Sequence, residues 1–291
     1  MKHIILAAGE GSTSFERSEQ IPKCLVEFNG KNTIDHAIAF SNEININETC
    51  LVGGFEILKI MKRYPKLRYF YNSNWSKTGN LKSLIIALES LKDDLLITYS
   101  DVIYDKFILK KTKSINNIAL QFDSKWFSRY ERTDDSFIEI LTDKNGKELG
   151  EFTGALFIPK KLIQKVRNIT NEIIDKDING SLLQLAQIII EKHSVEFIDA
   201  NGGWAELDSN QDTNRFVFGT KSETLNTLKD IVSKSKILGQ YTFQVGDYEK
   251  NHDKIINYIQ NAFNDEYLVF RSSAVNEDTL NILFSSSDKV Y

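Results

Sequence analysis

One stretch constrains this chain more than any other: Ile4-Ile5-Leu6-Ala7-Ala8-Gly9-Glu10-Gly11-Ser12, followed at a short distance by Pro22-Lys23-Cys24-Leu25. A short apolar strand runs straight into a glycine-bearing loop. Gly9 and Gly11 admit backbone conformations and close approaches that a Cβ would block, so successive N–H groups can converge on an anion. Lys23 then supplies a compact positive charge for phosphate oxygens. A glycine loop after a strand is weak evidence alone; the proline-lysine pair that lets the loop fold back is what points to a bound polyphosphate. The apolar run stops at Glu10 after about half the length of a secretion-signal core, so no signal peptide is expected.

The run Leu6-Ala7-Ala8-Gly9-Glu10-Gly11-Ser12 with Pro22-Lys23 resembles the L-A-A-G-x-G-[ST]-R … P-K pattern of the sugar-phosphate and phosphocholine nucleotidyltransferases. The resemblance implies that Leu6, Ala7, Ala8, Gly9, Glu10, Gly11, Ser12 and Lys23 bind a nucleoside triphosphate. One departure matters. Thr13 stands where the family carries an arginine that holds the triphosphate, and a threonine has no charge for that task. Arg17, four residues on in the same loop, is the candidate substitute.

Downstream, residues 32–43 read as a helix, Thr49-Cys50-Leu51-Val52-Gly53-Gly54 as a buried strand, and 57–64 as a helix. A strand over 68–71, a helix over 81–91 and a strand over 94–99 follow. Strands alternating with helices at this spacing imply an α/β fold with an open, mostly parallel, Rossmann-like sheet and helices on both faces. Ligands of such sheets bind beyond the carboxyl ends of the strands, where the glycine loop already sits.

Three further stretches carry chemistry. In Asn72-Ser73-Asn74-Trp75-Ser76-Lys77-Thr78-Gly79-Asn80-Leu81-Lys82-Ser83, polar residues precede a helix whose first-turn N–H groups could meet a base. This segment resembles the phosphocholine branch, which implies nucleotide contacts by Asn80 and Ser83, with Gly53 alongside. Ser100-Asp101-Val102 ends a very apolar strand, where an unpartnered carboxylate is costly; Mg2+ is a natural partner for Asp101, since it takes carboxylate and phosphate oxygens together. Gly202-Gly203-Trp204-Ala205-Glu206-Leu207-Asp208 resembles the W-x-E-[IL]-D run that closes the catalytic domain in the family. That likeness implies Asp101 and Asp208 as magnesium ligands, with Glu206 on the same strand face as Asp208.

Residues 116–142 become strand-like and antiparallel, with Ile118 to Phe122 and Phe137 to Leu141 as strands and Trp126, Phe127 and Tyr130 between them. Gly150-Glu151-Phe152-Thr153-Gly154 resembles the family's acceptor-side strand, implying Glu151 and Gly154 in substrate binding. A helix begins near Lys160, and another runs over 181–192.

Past Arg215 the pattern changes. Arg271-Ser272-Ser273-Ala274-Val275-Asn276-Glu277-Asp278 resembles a run near the start of the nucleotide-binding domain of phosphoenolpyruvate synthases and pyruvate phosphate dikinases. The expected division is a nucleotidyltransferase domain over 1–215 and a small α+β segment over 216–291, a piece of a kinase domain whose remainder is missing. The two resemblances together imply channelling between a kinase and a cytidylyltransferase in bacterial surface-polysaccharide decoration.

Composition narrows the partners. A net charge of −4 argues against nucleic acid, no apolar stretch is long enough to span a membrane, and two cysteines without metal spacing fit the cytoplasm. The expected activity is magnesium-dependent transfer from CTP to a phosphorylated small acceptor, with Lys23, Asp101 and Asp208 as catalytic residues. The alternatives are a catalytically impaired nucleotide-binding or scaffold protein, suggested by Thr13, and a sugar-1-phosphate transferase using UTP or dTTP.

Overall fold

The computed structural model describes residues 1–10, 21–28, 30–46, 48–104, 116–124, 139–206, 238–243 and 245–263, with Leu225, Lys229 and Leu268 as single positions. Two compact units divide the chain, Met1–Thr213 and Asn214–Tyr291.

The first unit is built on one mixed sheet. Its strands are β1 (Lys2–Ala7), β4 (Glu48–Gly53), β5 (Arg68–Tyr71), β6 (Leu95–Tyr99), β8 (Ile118–Asp123), β9 (Ile140–Thr142), β10 (Glu148–Ile158) and β11 (Val195–Asp199). Their order is β11-β8-β10-β6-β1-β4-β5, with β9 paired to β10. The run β6-β1-β4-β5 is parallel, and β10 is antiparallel to β6, β8 and β9. The antiparallel character expected over 116–142 therefore resides in β10, against which β8 and β9 pair. Two small ribbons complete the unit: β2 (Glu27–Phe28) with β3 (Lys31–Asn32), and β7 (Val102–Tyr104) with β12 (Trp204–Glu206).

The sequence explains the burial. Ile4, Ile5 and Leu6 of β1 and Leu95, Leu96 and Ile97 of β6 are unbroken apolar runs, as strands covered on both faces require, and all six are buried. Helices α1 (Thr33–Glu43), α2 (Ile57–Arg63), α3 (Asn80–Leu88), α4 (Ile163–Lys176) and α5 (Leu182–Lys192) supply the cover. Helix α5 starts at a reciprocal capping box: Gln184 N–H donates to Ser181 Oγ at 3.2 Å, and Ser181 N–H donates to Gln184 Oε1 at 2.8 Å.

Register brings the site together. Ala7 lies opposite Gly53, and Leu6 opposite Tyr99, so β1, β4 and β6 end at one edge of the sheet. The pairing of β10 with β8 shifts register between Phe152 and Leu156, beside the same edge.

In the second unit, α6 (Val245–Ala262) is interrupted at Asn251, where φ is −133° and ψ 32°. It buries Ile255 and Ile259, while Tyr241 packs on Tyr258 with ring centroids 4.4 Å apart. The kinase-like run over 271–278 lies outside the described residues. Among the described residues no helix is long and apolar enough to cross a membrane.

Candidate active site

At the shared edge of β6, β1 and β4 lies a cavity of about 380 Å3. The glycine loop enters from β1, and Ala8 and Gly9 line the cavity. The loop's two ends are pinned to each other by an antiparallel bridge between Glu10 and Pro22. Directly after Pro22 a 3-10 turn, Lys23–Leu25, presents Lys23 to the cavity while Cys24 is fully buried beneath it. The Lys23 carbonyl accepts from Thr33 Oγ1 at 3.3 Å, which ties the turn to the start of α1. Burial pushes the Cys24 thiol up to about 12, so it serves as a small apolar side chain, as its spacing suggests.

Lys23 Nζ forms an ion pair with Asp101 Oδ2. Asp101 follows β6 and is 7% exposed, so the costly buried carboxylate expected at this strand end does have a cationic partner.

Glu206 reaches the cavity by another route. Strand β12 pairs with β7, and Glu206 lies opposite Val102, next in sequence to Asp101. The start of β12 is fixed by buried Asp123, which accepts from Trp204 Nε1 at 3.0 Å and from Gly202 N–H at 3.1 Å. Nothing in the sequence around Asp123 signals this anchoring role, because its partners lie in a distant segment.

The acceptor-side expectations divide. Glu151 lines the cavity. Gly154 does not; it has φ +75°, and a Cβ there would overlap the Tyr99 ring. Its function is to let Tyr99 stand in the wall. Tyr99 Oη accepts from Asn80 Nδ2 at 3.1 Å and donates to Glu139 Oε2 at 3.5 Å. Burial, opposed by the Tyr99 hydrogen bond and aided by the Asp101 charge, pushes Glu139 up to about 7. Tyr99 and Glu139 are absent from the sequence-based site. A signal existed for Glu139: it is a carboxylate between Ile138 and Ile140.

On the nucleotide side, Leu6, Asn80 and Ser83 line the cavity. Ala7 and Gly53 do not: Ala7 is packed in a core cluster with Ile5, Ile34 and Leu51, and a Cβ on Gly53 would overlap the Ile57 side chain at the start of α2. The free N–H groups expected at the start of α3 are partly taken. Gly79 N–H donates to the Ile178 carbonyl at 3.0 Å and Leu81 N–H to the Gly180 carbonyl at 3.3 Å, both from the turn between α4 and α5. Asn80 and Ser83 stand in the cavity wall beside those two occupied donors. Gly11, Ser12, Thr13, Arg17 and Asp208 lie outside the described residues.

The donors present suit a hard cation, which takes carboxylate and phosphate oxygens. Among the described residues no group of three or more His, Cys, Asp or Glu side chains is placed to hold a metal. A triphosphate-bound Mg2+ does not need one, since it is held by one or two carboxylates plus phosphate oxygens. Asp101 fits that requirement.

Residues 3–112 match the MobA-like NTP transferase domain. The CTP:phosphoglutamine cytidylyltransferase of Campylobacter jejuni is 27% identical over 243 residues, covering 72% of this chain and 96% of that protein. The bifunctional protein GlmU of Methanococcus maripaludis is 26% identical over 251 residues, covering 80% of this chain and 58% of its own length. A solved CTP:phosphocholine cytidylyltransferase from Streptococcus pneumoniae superposes with a TM-score of 0.55 at 21% identity, over 74% of this chain and 96% of that one; it shares the fold. Fold, cavity and domain match define an enzyme of the nucleotidyltransferase class. Cytidylyltransferases stand among its relatives.

Proposed function

We propose that this protein is a magnesium-dependent cytidylyltransferase: a phosphate of a small acceptor attacks the α-phosphorus of CTP in line, and pyrophosphate departs. The observation that carries the reading is the placement of Lys23 and Asp101 in one cavity beside Ala8 and Gly9. CTP is favoured because the Campylobacter relative, matched over 96% of its length, is named for that nucleotide. Phosphoryl chemistry of this kind asks the protein mainly for positioning and charge stabilisation.

Lys23 would neutralise phosphate oxygens, and the loop over residues 9–12 would cradle the polyphosphate. Asp101 and Asp208 would hold magnesium. When bound, the ion would share its coordination between carboxylate and phosphate and offset negative charge on the polyphosphate. Glu151 and Glu206 give the other side of the cavity an acidic lining, to which Glu139, pushed up to about 7, adds charge as it ionises; this suits an acceptor bearing amine or amide donors beside its phosphate. Phosphoglutamine and phosphocholine are the acceptors that the relatives suggest. The surface-polysaccharide pathway and a kinase acting on the same acceptor extend this reading through the run over 271–278.

A second reading, transfer from UTP or dTTP to a sugar 1-phosphate, is favoured by the GlmU match, which covers 80% of this chain. Pyrophosphate release measured with each of CTP, UTP, dTTP and ATP, across phosphoglutamine, phosphocholine and sugar 1-phosphates, separates the two. Release with CTP and a non-sugar acceptor is the expected result. Release with UTP or dTTP and a sugar phosphate would replace the first reading with the second. Silence throughout would point to an impaired enzyme, and restored turnover in Thr13→Arg would locate the defect.

A further inference from the structure

The cavity is chemically lopsided, and the order of strands says which side is which. Along the sheet edge run β10, β6, β1, β4 and β5. Glu151 belongs to β10, and Glu139 precedes β9, paired to β10, so these carboxylates lie on one flank. Asp101 and Lys23 hold the centre, at the end of β6. The opposite flank, beyond β1, is lined by Ala8, Gly9, Trp75, Thr78 and Gly79, none of them charged.

Trp75 dominates that flank. It opens the 3-10 turn Trp75–Lys77, which follows β5, and its position is enforced from two sides. Phe55 meets the indole edge-on, with centroids 5.3 Å apart and planes at 66°. Gly54 lies so close that a Cβ there would overlap both Trp75 Cβ and the Ala8 carbonyl, while Phe55 N–H donates to that same carbonyl at 2.9 Å. The glycine loop, the end of β4 and the indole therefore form one interlocked wall. The preceding turn is set by Asn72, whose Oδ1 accepts from Asn74 N–H at 3.1 Å and whose Nδ2 donates to Thr78 Oγ1 and Ser83 Oγ, each at 3.1 Å.

Taken with the cytidylyltransferase reading, on which it rests, this geometry identifies a role for Trp75. We propose that Trp75 is the platform on which the pyrimidine ring of the nucleotide stacks. A nucleobase is flat, uncharged and rich in π surface, so it is matched by the uncharged aromatic flank and mismatched by the acidic one. The β4 end lies two strands from β6, about 10 Å at ordinary strand spacing, which leaves room for the sugar between the phosphates and a ring at Trp75. Stacking is tolerant of base identity, because every base has a π face. Trp75 thus contributes affinity, and discrimination between bases falls to other groups.

The test is calorimetric titration of the full chain with CTP, with UTP and with inorganic tripolyphosphate, each with magnesium. Tripolyphosphate has no base and reports the phosphate site alone. Trp75→Ala is expected to weaken CTP binding about five- to hundredfold while leaving tripolyphosphate binding unchanged. Trp75→Phe, which keeps a ring, is expected to stay close to the wild type. Unchanged CTP affinity in Trp75→Ala would overturn the proposal, as would an equal loss of CTP and tripolyphosphate binding, which would mark a merely structural residue. Should Trp75→Ala fail to fold, fluorescence in Trp75→Phe decides. Quenching of tryptophan emission by CTP must fall clearly below the wild-type level there, with Trp204, which lines the same cavity, supplying any remainder; quenching undiminished in Trp75→Phe would overturn the proposal. A wild type that ignores CTP but binds UTP, with that binding lost in Trp75→Ala, would overturn the cytidylyl reading and leave the platform standing.

Discussion

The ammonium of Lys23 and the carboxylate of Asp101 pair with each other across the cavity, although the proposed function assigns one to phosphate and the other to magnesium. Each thus serves as a counter-ion of the other. The side chains are 24% and 9% exposed, so the pair is sheltered enough for its breaking to be felt. A bound magnesium–triphosphate would supply both with replacement partners of the right sign, which couples binding of the ion to binding of the nucleotide.

Removing one member of a buried pair costs more than removing both, because the survivor is left as an uncompensated charge. Lys23→Met is therefore expected to lower the thermal midpoint more than the double variant Lys23→Met/Asp101→Asn. In turnover the order differs. On the proposed function each single variant loses a charge assigned to the reaction, so Asp101→Asn should cost about 100- to 1000-fold in kcat, and the double variant should recover none of it. A double variant less stable than Lys23→Met would show that the pair is not an isolated couple.

Glu139 offers a prediction whose sign runs against the usual carboxylate. Burial raises it from the ordinary carboxylate value of about 4.5 to about 7 in the folded protein. Between those values the native state holds a proton that the unfolded chain releases, so stability falls as pH rises from about 4.5 to 7 and stays lowered above. The penalty is roughly 3 kcal/mol at 1.36 kcal/mol per unit of pKa. Glu139→Gln keeps the hydrogen-bonding shape without the charge, so it should raise the thermal midpoint at pH 8 and leave it unchanged at pH 4. An equal shift at both values would refute burial of the charge as the cause.

Gly154→Ala is expected to damage the site through Tyr99. At φ +75° an L side chain is strained by about 1–3 kcal/mol, and its Cβ would displace the Tyr99 ring. For a unit of this size each kcal/mol lowers the midpoint by about 2–4 °C. The displaced ring would release both Asn80 and Glu139, so acceptor-dependent turnover should fall further than the midpoint alone accounts for. Retained turnover at a temperature well below the midpoint would mean that the Asn80–Tyr99–Glu139 chain is dispensable.

Local signals carried most of the parallel core. The apolar runs of β1 and β6, the glycine loop and the helix over 181–192 each depend on a few adjacent residues, and each is readable as such. Lys23 and Asp101 were legible for the same reason: a lysine after a glycine loop and a carboxylate ending an apolar strand each say something alone. Tyr99, Glu139 and Asp123 were not. Their roles come from partners such as Asn80, Gly154 and Trp204, brought near by β10 and β12, and no periodicity in their own segments encodes that pairing. Gly154 shows the point from the other side. Its motif marked it as important, but only the fold shows that its missing Cβ serves Tyr99 rather than a ligand.

His3 is expected to add an acid sensitivity to the fold. It is fully buried between α1 and β6, and Ser41 Oγ already donates to the Ala37 carbonyl at 3.0 Å. His3 Nδ1 must therefore be the donor to Ser41 Oγ at 2.6 Å, and Nε2 the acceptor from Thr98 Oγ1 at 2.8 Å. Both ring nitrogens are satisfied in the neutral form, and burial pushes the imidazole down to about 3. The unfolded chain takes up this proton near pH 6.5 and the folded one does not, so the contribution is complete above 6.5 and is lost as pH falls toward 3. The loss is about 1.4 kcal/mol for each unit below 6.5. Denaturant melts at pH 7.0, 6.0, 5.0 and 4.0 should show this slope, and His3→Gln should be less stable at pH 7 but flatter across the range. A wild-type slope that survives in His3→Gln would assign the acid sensitivity to other groups.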